Sequence, residues 1–331
     1  MRKKRKLPPT YADIDSLRGI RLLSRGQQIH SGFRSVALDP DSNYTLAIFG
    51  PEGSLNSIIY DLARHEWKGQ LSDDQGDIRD VEWYNRGPVT AGSNGSISVW
   101  SAQGRISFKF QAHGASIVAV QLHPAGDLLM SAAVDGEWAI HDLSAGKTVA
   151  KYRGAEGVGM TRSSSIMGNC VVFRCSDIHP DGHVYVVGCE DGTIHVYDVL
   201  TGNLKGTLGP LSGAVKSIHC SQNGYWVAET RTEDSKVRVW DLRKSTVAFE
   251  LEGSSVGGKV RWDHGGQYLA LGGDKGVDVF AYQKKEKSFV KVTEEPLEST
   301  GVHCFDWGKD GKVIACGGLA NGDICVLGVK A

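Results

Sequence analysis

The sequence predicts an all-β chain that forms a closed ring of four-stranded antiparallel units. Three observations support this fold over the 331 residues: short runs of alternating apolar and polar residues, two recurring series of turns between them, and a recurring strand end that is most often aromatic. Alternation bounded by Gly, Asn, Asp and Ser is typical of antiparallel strands. Units of about forty residues with four such strands are typical of β-propeller blades.

The clearest unit lies between residues 212 and 251. Its runs are rich in Val, Ile, Trp and Tyr, and turns at Gln222–Gly224 and Thr232–Ser235 separate the first three. The four runs are Val215–Cys220, Tyr225–Ala228, Lys236–Asp241 and Thr246–Leu251.

One series of turns precedes the third strand of each unit and carries a glycine, which serine replaces once. These turns are Glu52-Gly53, Asn94-Gly95, Asp135-Gly136, Asp191-Gly192, Asp234-Ser235, Lys275-Gly276 and Asn321-Gly322, at steps of 42, 41, 56, 43, 41 and 46 residues. Asn-Gly and Asp-Gly suit tight hairpins because both central positions need positive φ.

A second series lies between the first two strands, and a third marks the end of the third strand. The second series is Asp39–Asp41, Asn85–Gly87, Pro124–Gly126, Pro180–Gly182, Gln222–Gly224, His264–Gly266 and Lys309–Gly311. The third is Tyr60-Asp61, Trp100-Ser101, His141-Asp142, Tyr197-Asp198, Trp240-Asp241, Phe280-Ala281 and Leu327-Gly328. Because the three series stay in phase through seven units, we predict a seven-bladed propeller.

The last unit is one strand short, since only four residues follow Leu327. The run Gly19–Leu23 precedes the first repeat and is the obvious donor. We expect this N-terminal strand to complete the blade built from Thr300 to Val329. Such closure leaves no long open sheet edge and opposes fraying of the chain ends.

Residues 1–16 are expected to lie outside the propeller, which then spans residues 17–331. The leader contains five consecutive cations, Arg2, Lys3, Lys4, Arg5 and Lys6, followed by prolines, and cannot pack into a core. It is a possible nuclear import signal; a plain charged leader and an interdomain linker are the alternatives.

The long step in the first turn series places an insertion at residues 153–168. This stretch is rich in Gly and Ser and lacks strand alternation, so we predict a surface loop. Its serines, Ser163–Ser165, follow Arg162 and are candidates for phosphorylation; an ordinary solvated loop is the alternative.

Composition excludes several classes of function. The net charge of −1 gives no global field for nucleic acid or an anionic membrane. The seven cysteines form no Cys-x-x-Cys pair, and we expect buried free thiols in a reducing compartment. No stretch approaches eighteen uninterrupted apolar residues and no signal peptide is present, so we expect a soluble intracellular protein.

No catalytic, cofactor or metal site is expected, because the motifs that carry such chemistry are absent. His123 and His179 both precede proline one repeat apart, and His113 precedes Gly114 at the entry to a unit. Such repetition indicates structural positions. A propeller hydrolase would need two carboxylates across the channel, and the sequence does not place them there.

Binding is therefore expected from residues that break the blade pattern near turns. The candidates are Glu229, Arg231, Glu233, Arg79 and Arg174. Sister blades carry small or apolar residues where the first three stand, and arginine is favoured at interfaces. Ordinary solvated charge is the alternative for each.

Some short segments of the sequence indicate a particular family more specifically than the Trp-Asp strand ends do. They are Gly126–Ser131 leading to Trp138-Ala139, Asn223–Tyr225 leading to Val239–Lys244, Tyr268–Gly273, and the leading Arg2–Arg5. Over nearly the whole chain, they resemble the C-terminal WD-repeat propeller of the pre-mRNA-processing factor nineteen family. The chain departs from that family at residues 153–168, which leaves partner contacts near the insertion open.

The resemblance implies a function for a longer protein. Members of that family carry a U-box, which recruits a ubiquitin-conjugating enzyme, and a coiled coil that forms a homotetramer; this chain shows neither. The propeller would bind spliceosomal proteins and ubiquitylation substrates for a nuclear E3 ligase of splicing and DNA repair, with no direct nucleic acid or membrane contact. The alternatives are another nuclear WD-repeat scaffold that reads histone or phosphopeptide motifs, and a propeller hydrolase.

Overall fold

The computed structural model describes residues 21–25, 33–38, 44–49, 57–61, 66–71, 76–84, 87–101, 104–154, 171–295, 301–309, 311–318 and 324–328. These residues form 28 β-strands and no helix. The strands are arranged in seven four-stranded antiparallel sheets, which we call blades 1 to 7. Within the described ranges no helix is long and apolar enough to cross a membrane.

Blades 1 to 6 each use four consecutive strands. Blade 1 contains β2 (Phe33–Leu38), β3 (Tyr44–Phe49), β4 (Ser57–Asp61) and β5 (Glu66–Leu71). Blade 2 contains β6 (Ile78–Tyr84), β7 (Gly87–Gly92), β8 (Ser96–Trp100) and β9 (Ile106–Gln111). Blade 3 contains β10 (Ile117–Leu122), β11 (Leu128–Ala133), β12 (Glu137–Asp142) and β13 (Lys147–Arg153). Blade 4 contains β14 (Phe173–Ile178), β15 (Val184–Cys189), β16 (Ile194–Asp198) and β17 (Leu204–Leu208).

The remaining blades follow the same order. Blade 5 contains β18 (Val215–Cys220), β19 (Trp226–Arg231), β20 (Lys236–Asp241) and β21 (Thr246–Glu252). Blade 6 contains β22 (Lys259–Trp262), β23 (Tyr268–Gly273), β24 (Gly276–Gln283) and β25 (Ser288–Glu295). Blade 7 contains β26 (Val302–Trp307), β27 (Val313–Gly318), β28 (Ile324–Gly328) and β1 (Arg21–Arg25).

The first strands of the blades form a closed ring. β2, β6, β10, β14, β18, β22 and β26 each contact the next, and β26 returns to β2. This ring surrounds a central channel, and the all-β propeller class predicted from the sequence is confirmed.

The first and last described strands meet in blade 7. β1 pairs antiparallel with β28, from Arg21 opposite Gly328 to Arg25 opposite Cys325. Closure by an N-terminal strand is thus confirmed, and Gly19 and Ile20 of the predicted run lie outside the described residues. The leader, residues 1–16, and residues 155–168 of the loop expected at 153–168 lie outside the described residues, whereas Arg153 is the last residue of strand β13.

The core lies between neighbouring blades. One cluster joins Trp226 of blade 5 to Trp262 and Leu269 of blade 6, with the two indole rings stacked at 6.0 Å between centroids. Each such side chain contributes about 1.5–3 kcal/mol by leaving water. Because every blade offers one apolar face to each neighbour, the blades cannot bury their surfaces singly.

Histidines at the first turn of successive blades tie the ring together. His123 Nε2 lies 2.9 Å from the Gly182 carbonyl oxygen, and His179 Nε2 lies 2.7 Å from that of Gly224. Both acceptors are turn glycines with positive φ in the next blade. The structural role predicted for His123 and His179 is confirmed.

The cysteines of the described residues are free and mostly buried. They are Cys175, Cys189, Cys220, Cys304, Cys316 and Cys325. Burial raises the pKa of the Cys316 thiol well above its usual value, which suppresses the reactive thiolate. The expectation of buried free thiols is confirmed for five of these positions, whereas Cys175 is half-buried, and Cys170 lies outside the described residues.

Candidate functional site: the mouth of the central channel

A β-bulge recurs near the start of the innermost strand. The pairing shifts by one residue between Ile78 and Asp80, and the same shift occurs in blades 3, 4 and 5. The extra residue is left out of the ladder, and a bulge re-aims its side chain. The extra residues are Arg79, Val118, Arg174 and Lys216, and Arg34 and His303 occupy this register position in blades 1 and 7.

The bulge residues line one cavity of about 650 Å³ between the innermost strands. Arg79, Arg174, Lys216 and Lys259 all contribute to its wall. The side chains of Arg79 and Arg174 are 35% and 47% exposed. The bulge places cations from blades 2, 4 and 5 in this wall, and Lys259 of blade 6 joins them from a regularly paired position. We call these four residues with their surroundings the channel mouth.

Lys259 is half-buried at the channel mouth. Burial lowers its pKa, and the neighbouring Arg261 guanidinium lowers it further. An anion bound beside Lys259 would offset both effects, because it favours the protonated amine.

Valines complete the rim of the mouth. Val134, Val172 and Val256 line the same cavity and are 37%, 40% and 57% exposed. Val134 lies in the turn between β11 and β12 of blade 3, and Val172 and Val256 lie in the connections that lead into the innermost strands of blades 4 and 6. Exposed apolar side chains that line one cavity with charged groups are typical of binding surfaces.

Carboxylates lie further along the innermost strands. Asp80 Oδ2 accepts a bond from the Val120 amide at 3.0 Å, and Asp177 Oδ2 accepts one from the Cys220 amide at 2.6 Å. Burial raises the pKa of Asp177 to about 6, although the Cys220 bond opposes this. These two carboxylates join neighbouring blades and are therefore structural.

Glu82 completes the acidic part of the channel. Burial raises its pKa to about 8, with Arg261 opposing the shift and Asp80 adding to it. Arg261 donates to Asp306 at 2.8 Å. Among the described residues that line the cavity, the other carboxylates are Asp80, Asp177 and Asp274, of which the first two accept bonds from backbone amides.

The structure places the five predicted partner-binding residues in two groups. Arg79 and Arg174 line the channel mouth, where Arg174 pairs with Glu190. Glu233 is exposed and accepts a bond from Ser212 Oγ at 3.2 Å. Their role in binding stays a prediction. The proposed import segment, Arg2–Lys6, lies outside the described residues.

The expectation that Glu229 and Arg231 form a binding surface needs correction. Strand β19 continues through both residues, and each is 0% exposed. Arg231 Nε donates to Glu229 Oε1 at 3.1 Å, and Nη2 lies 3.0 Å from Oε2. Burial raises the pKa of Glu229, and Arg231 opposes the shift. A buried charge needs a partner, and the pair supplies it internally.

Arg231 also holds blade 5 to blade 4. Its Nη1 donates to the carbonyl oxygens of Gly192, Leu211 and Gly213 at 3.0, 2.9 and 2.9 Å. Glu229 Oε1 accepts a further bond from Trp240 Nε1 at 3.1 Å. Glu229 and Arg231, which looked unusual in the sequence, thus form a buried ion pair that links blade 5 to blade 4.

Blade 3 satisfies the equivalent place with neutral groups. His113 Nε2 lies 2.6 Å from Ser131 Oγ, which lies 2.7 Å from His141 Nε2; His141 Nδ1 lies 3.0 Å from Thr148 Oγ1. Burial lowers the pKa of His113 to about 4 and of His141 to about 3. The structural role predicted for His113 is confirmed.

His113 also lies near two carboxylates. One ligand atom each of His113, Asp135 and Glu137 lies within 4.8 Å of the others. Glu137 accepts a bond from Arg153 at 3.2 Å, and His113 Nε2 is engaged by Ser131. We therefore assign this group to the blade's internal contacts.

Sequence reasoning did not identify Lys216, Lys259 and the three valines. The available signal was a cation at the second position of the first strand, which Arg79, Arg174 and Lys216 share. Alignment of the repeats on that strand would have shown it. That the position is a bulge facing the channel follows only from the pairing register.

Comparisons with known proteins agree with this architecture. The family model for the WD domain, G-beta repeat (WD40) matches residues 104–142, 162–198 and 202–241. One chain of the crystal structure of a mitotic checkpoint complex superposes with a TM-score of 0.77 at 13% identity, covering 100% of this chain and 96% of that one. This structural likeness supports the fold alone.

Curated relatives give a narrower relationship. Pre-mRNA-processing factor 19 homolog 2 of Arabidopsis thaliana is 26% identical over 330 residues, 96% of this chain and 59% of that protein. Pre-mRNA-processing factor 19 of Oryza sativa subsp. japonica is 26% identical over 338 residues, covering 96% and 60%. The protein of that name from Schizosaccharomyces pombe is 33% identical over 122 residues, covering 37% and 25%.

The chain spans about three-fifths of the length of the first two relatives. The similarity extends over all the blades, whereas the WD40 matches fall on blades 2 to 5. The chain therefore carries WD40 repeats at residues 104–142, 162–198 and 202–241, and it is similar over 96% of its length to two pre-mRNA-processing factor 19 proteins.

Proposed function

We propose that this chain is the partner-binding domain of a nuclear pre-mRNA-processing factor. It would hold spliceosomal proteins, and substrates of ubiquitylation, for a homotetrameric U-box ligase that acts in splicing and DNA repair. The observation that carries the proposal is the similarity to pre-mRNA-processing factor 19 proteins over 96% of the chain. A repeat propeller suits this role because its rigid ring presents loops and a channel mouth without moving.

The binding residues proposed are Arg79, Arg174 and Glu233. All three are accessible: Arg79 and Arg174 lie at the channel mouth, and Glu233 lies beside the turn that leads into blade 5. Recognition by such residues needs no cofactor, since rigid loops position the charges.

Affinity capture from nuclear extract tests the proposal. The 331-residue chain is the bait, and an unrelated WD40 propeller of similar charge is the control. We expect spliceosomal proteins to be enriched at least tenfold over the control by quantitative mass spectrometry. A folded bait that recovers none of them would contradict the proposal and favour a scaffold that reads histone or phosphopeptide motifs.

A further inference from the structure

The geometry points to a peptide-binding site at the channel mouth. Its ligand is an extended partner segment in which Asp or Glu side chains flank an aliphatic side chain. This inference rests on the proposed function, since it names the chemistry of the segment that the WD-repeat domain binds.

The mouth offers donors that the protein does not use. Among the described residues, neither Lys216 nor Lys259 forms an ion pair with a carboxylate. Arg79 Nε is buried without a hydrogen-bond partner, and Arg79 Nη2 lies 3.9 Å from Asp77, the limit of an ion-pair contact. A carboxylate at the mouth would give these groups charge-assisted hydrogen bonds.

The mouth also offers apolar surface beside these donors. Only six large apolar side chains are exposed in the described part of the chain, and Val134, Val172 and Val256 are three of them. All three line the same cavity as the four cations. A ligand that carried charge alone would leave these valines in water, so an aliphatic side chain belongs beside the anionic group.

Carboxylates deeper in the cavity limit how far the acidic side chains of the ligand can enter it. Beyond the cations the wall carries Asp80, Glu82 and Asp177. Two of these carboxylates already accept amide bonds, and a ligand carboxylate beside them would meet like charge. The acidic groups of the ligand are therefore held at the rim.

A nucleic acid suits the mouth less well than a peptide. The exposed Asp274 lines the cavity, and Glu190 pairs with Arg174 at its edge. A phosphate backbone needs a continuous basic track, and these carboxylates interrupt it. Separate acidic side chains on a peptide can avoid them.

Selection from a phage-displayed library of random 12-residue peptides tests the site directly. We expect the wild-type chain to enrich peptides with at least two Asp or Glu residues next to Val, Leu or Ile. Enrichment of neutral or basic peptides, or of none, would overturn the inference.

The enriched peptide is then labelled with fluorescein and its Kd is measured by anisotropy. We expect R174E/K216E to raise Kd at least tenfold and Val256→Ser to raise it about threefold, with Lys244→Glu as the charge control outside the cavity. A counterpart with Asn and Gln in place of Asp and Glu should bind at least tenfold more weakly. Equal binding by R174E/K216E or by the amide peptide would overturn the inference.

Three further controls separate the alternatives. Thermal melting of each variant checks the fold, and R174Q/K216Q replaces R174E/K216E should the reversal unfold the blade. A fluorescein-labelled 12-nucleotide oligouridylate, or the peptide with phosphoserine in place of Asp and Glu, would overturn the inference by binding more tightly than the acidic peptide. Capture of spliceosomal proteins that R174E/K216E leaves unchanged, together with unchanged peptide binding, would retain the proposed function and reject this site.

Discussion

Blades 3 and 5 fill the same buried positions with opposite chemistry. The register places Ser131 and Glu229 at equivalent points of the second strand, and His141 and Trp240 at equivalent points of the third. In blade 3 the second-strand residue bridges two histidines. In blade 5 it accepts from the indole and pairs with Arg231.

The difference shows that one backbone geometry can be satisfied by neutral or by charged groups. A neutral histidine network is stable only while the rings stay unprotonated, so acid is expected to destabilise blade 3. A buried ion pair is less sensitive to a change of pH, but removing one of its side chains leaves the other charge unpaired. Blade 5 is therefore expected to be destabilised by substitution of either residue. The two blades therefore fail under different conditions.

The largest effect is expected from Arg231→Met. It leaves the Glu229 carboxylate buried without its cation and removes the donor to the Gly192, Leu211 and Gly213 carbonyls, which costs about 3–5 kcal/mol of unfolding free energy. Urea unfolding followed by tryptophan fluorescence measures it. The exposed neighbour Thr232→Ala is the control and should change stability by less than about 0.5 kcal/mol.

A double variant sharpens this prediction. E229Q/R231M removes the uncompensated charge and should recover part of the loss seen in R231M alone. If the double variant were less stable than the single one, the charge would not be the cause of the loss, and the missing bonds to the blade 4 linker would carry the effect.

The acid response of blade 3 is the second expectation. Because the folded pKa values of His113 and His141, about 4 and 3, lie below the ordinary value of 6.5, the unfolded chain binds more protons as the pH falls. As the pH falls from 6.5 to the folded pKa, each histidine therefore lowers the free energy of unfolding by about 1.4 kcal/mol per pH unit. Unfolding free energies at pH 7.5, 6 and 5 measure the slope.

His141→Trp isolates this effect by giving blade 3 the aromatic residue of blade 5. In blade 2 the equivalent Trp100 donates to Thr90 Oγ1 at 2.9 Å, so an indole is compatible with a hydroxyl acceptor. Below pH 6.5 the change of unfolding free energy with pH should be smaller than in the wild type by the contribution of one histidine, about 1.4 kcal/mol per pH unit. The channel carboxylates are the same in both proteins and do not affect this difference. An unchanged slope would show that His141 does not titrate in this way.

The smallest effect is expected from Thr148→Val. Val247 occupies the equivalent register position in blade 5, so the substitution makes the fourth strand of blade 3 resemble that of blade 5. Only the contact between Thr148 Oγ1 and His141 Nδ1 is lost, and leaving this buried nitrogen without a partner costs about 1–3 kcal/mol. Urea unfolding at pH 8 measures it with both histidines neutral, and a loss above about 3 kcal/mol would contradict an isolated hydrogen bond.

The fold was largely predictable because turn chemistry and strand alternation are local signals. Asp-Gly and Asn-Gly turns occur where the chain needs positive φ, as at Gly95 and Gly136. The same local signals do not show how deeply a side chain is buried. The second run of blade 5 extends through Glu229 to Arg231, and two charges that looked like surface residues lie inside the sheet.

The site was predictable only in part. Arg79 and Arg174 were predicted to bind because they break the blade pattern near turns, but nothing in the sequence alone shows that both are bulge residues of innermost strands. Lys216 looked like an ordinary polar residue of an alternating strand. The exposure of Val134, Val172 and Val256 depends on how the blades surround the channel, which only the assembled ring determines.

Closure of blade 7 by β1 has a mechanical consequence. Arg21 lies opposite Gly328, so the chain enters and leaves the blade at the same end of one antiparallel ladder. A force applied between these two points would load the hydrogen bonds one at a time, as in unzipping, and would not shear the whole ladder at once. Tension of this kind would open the ring at blade 7 at low force while the other blades kept their pairing.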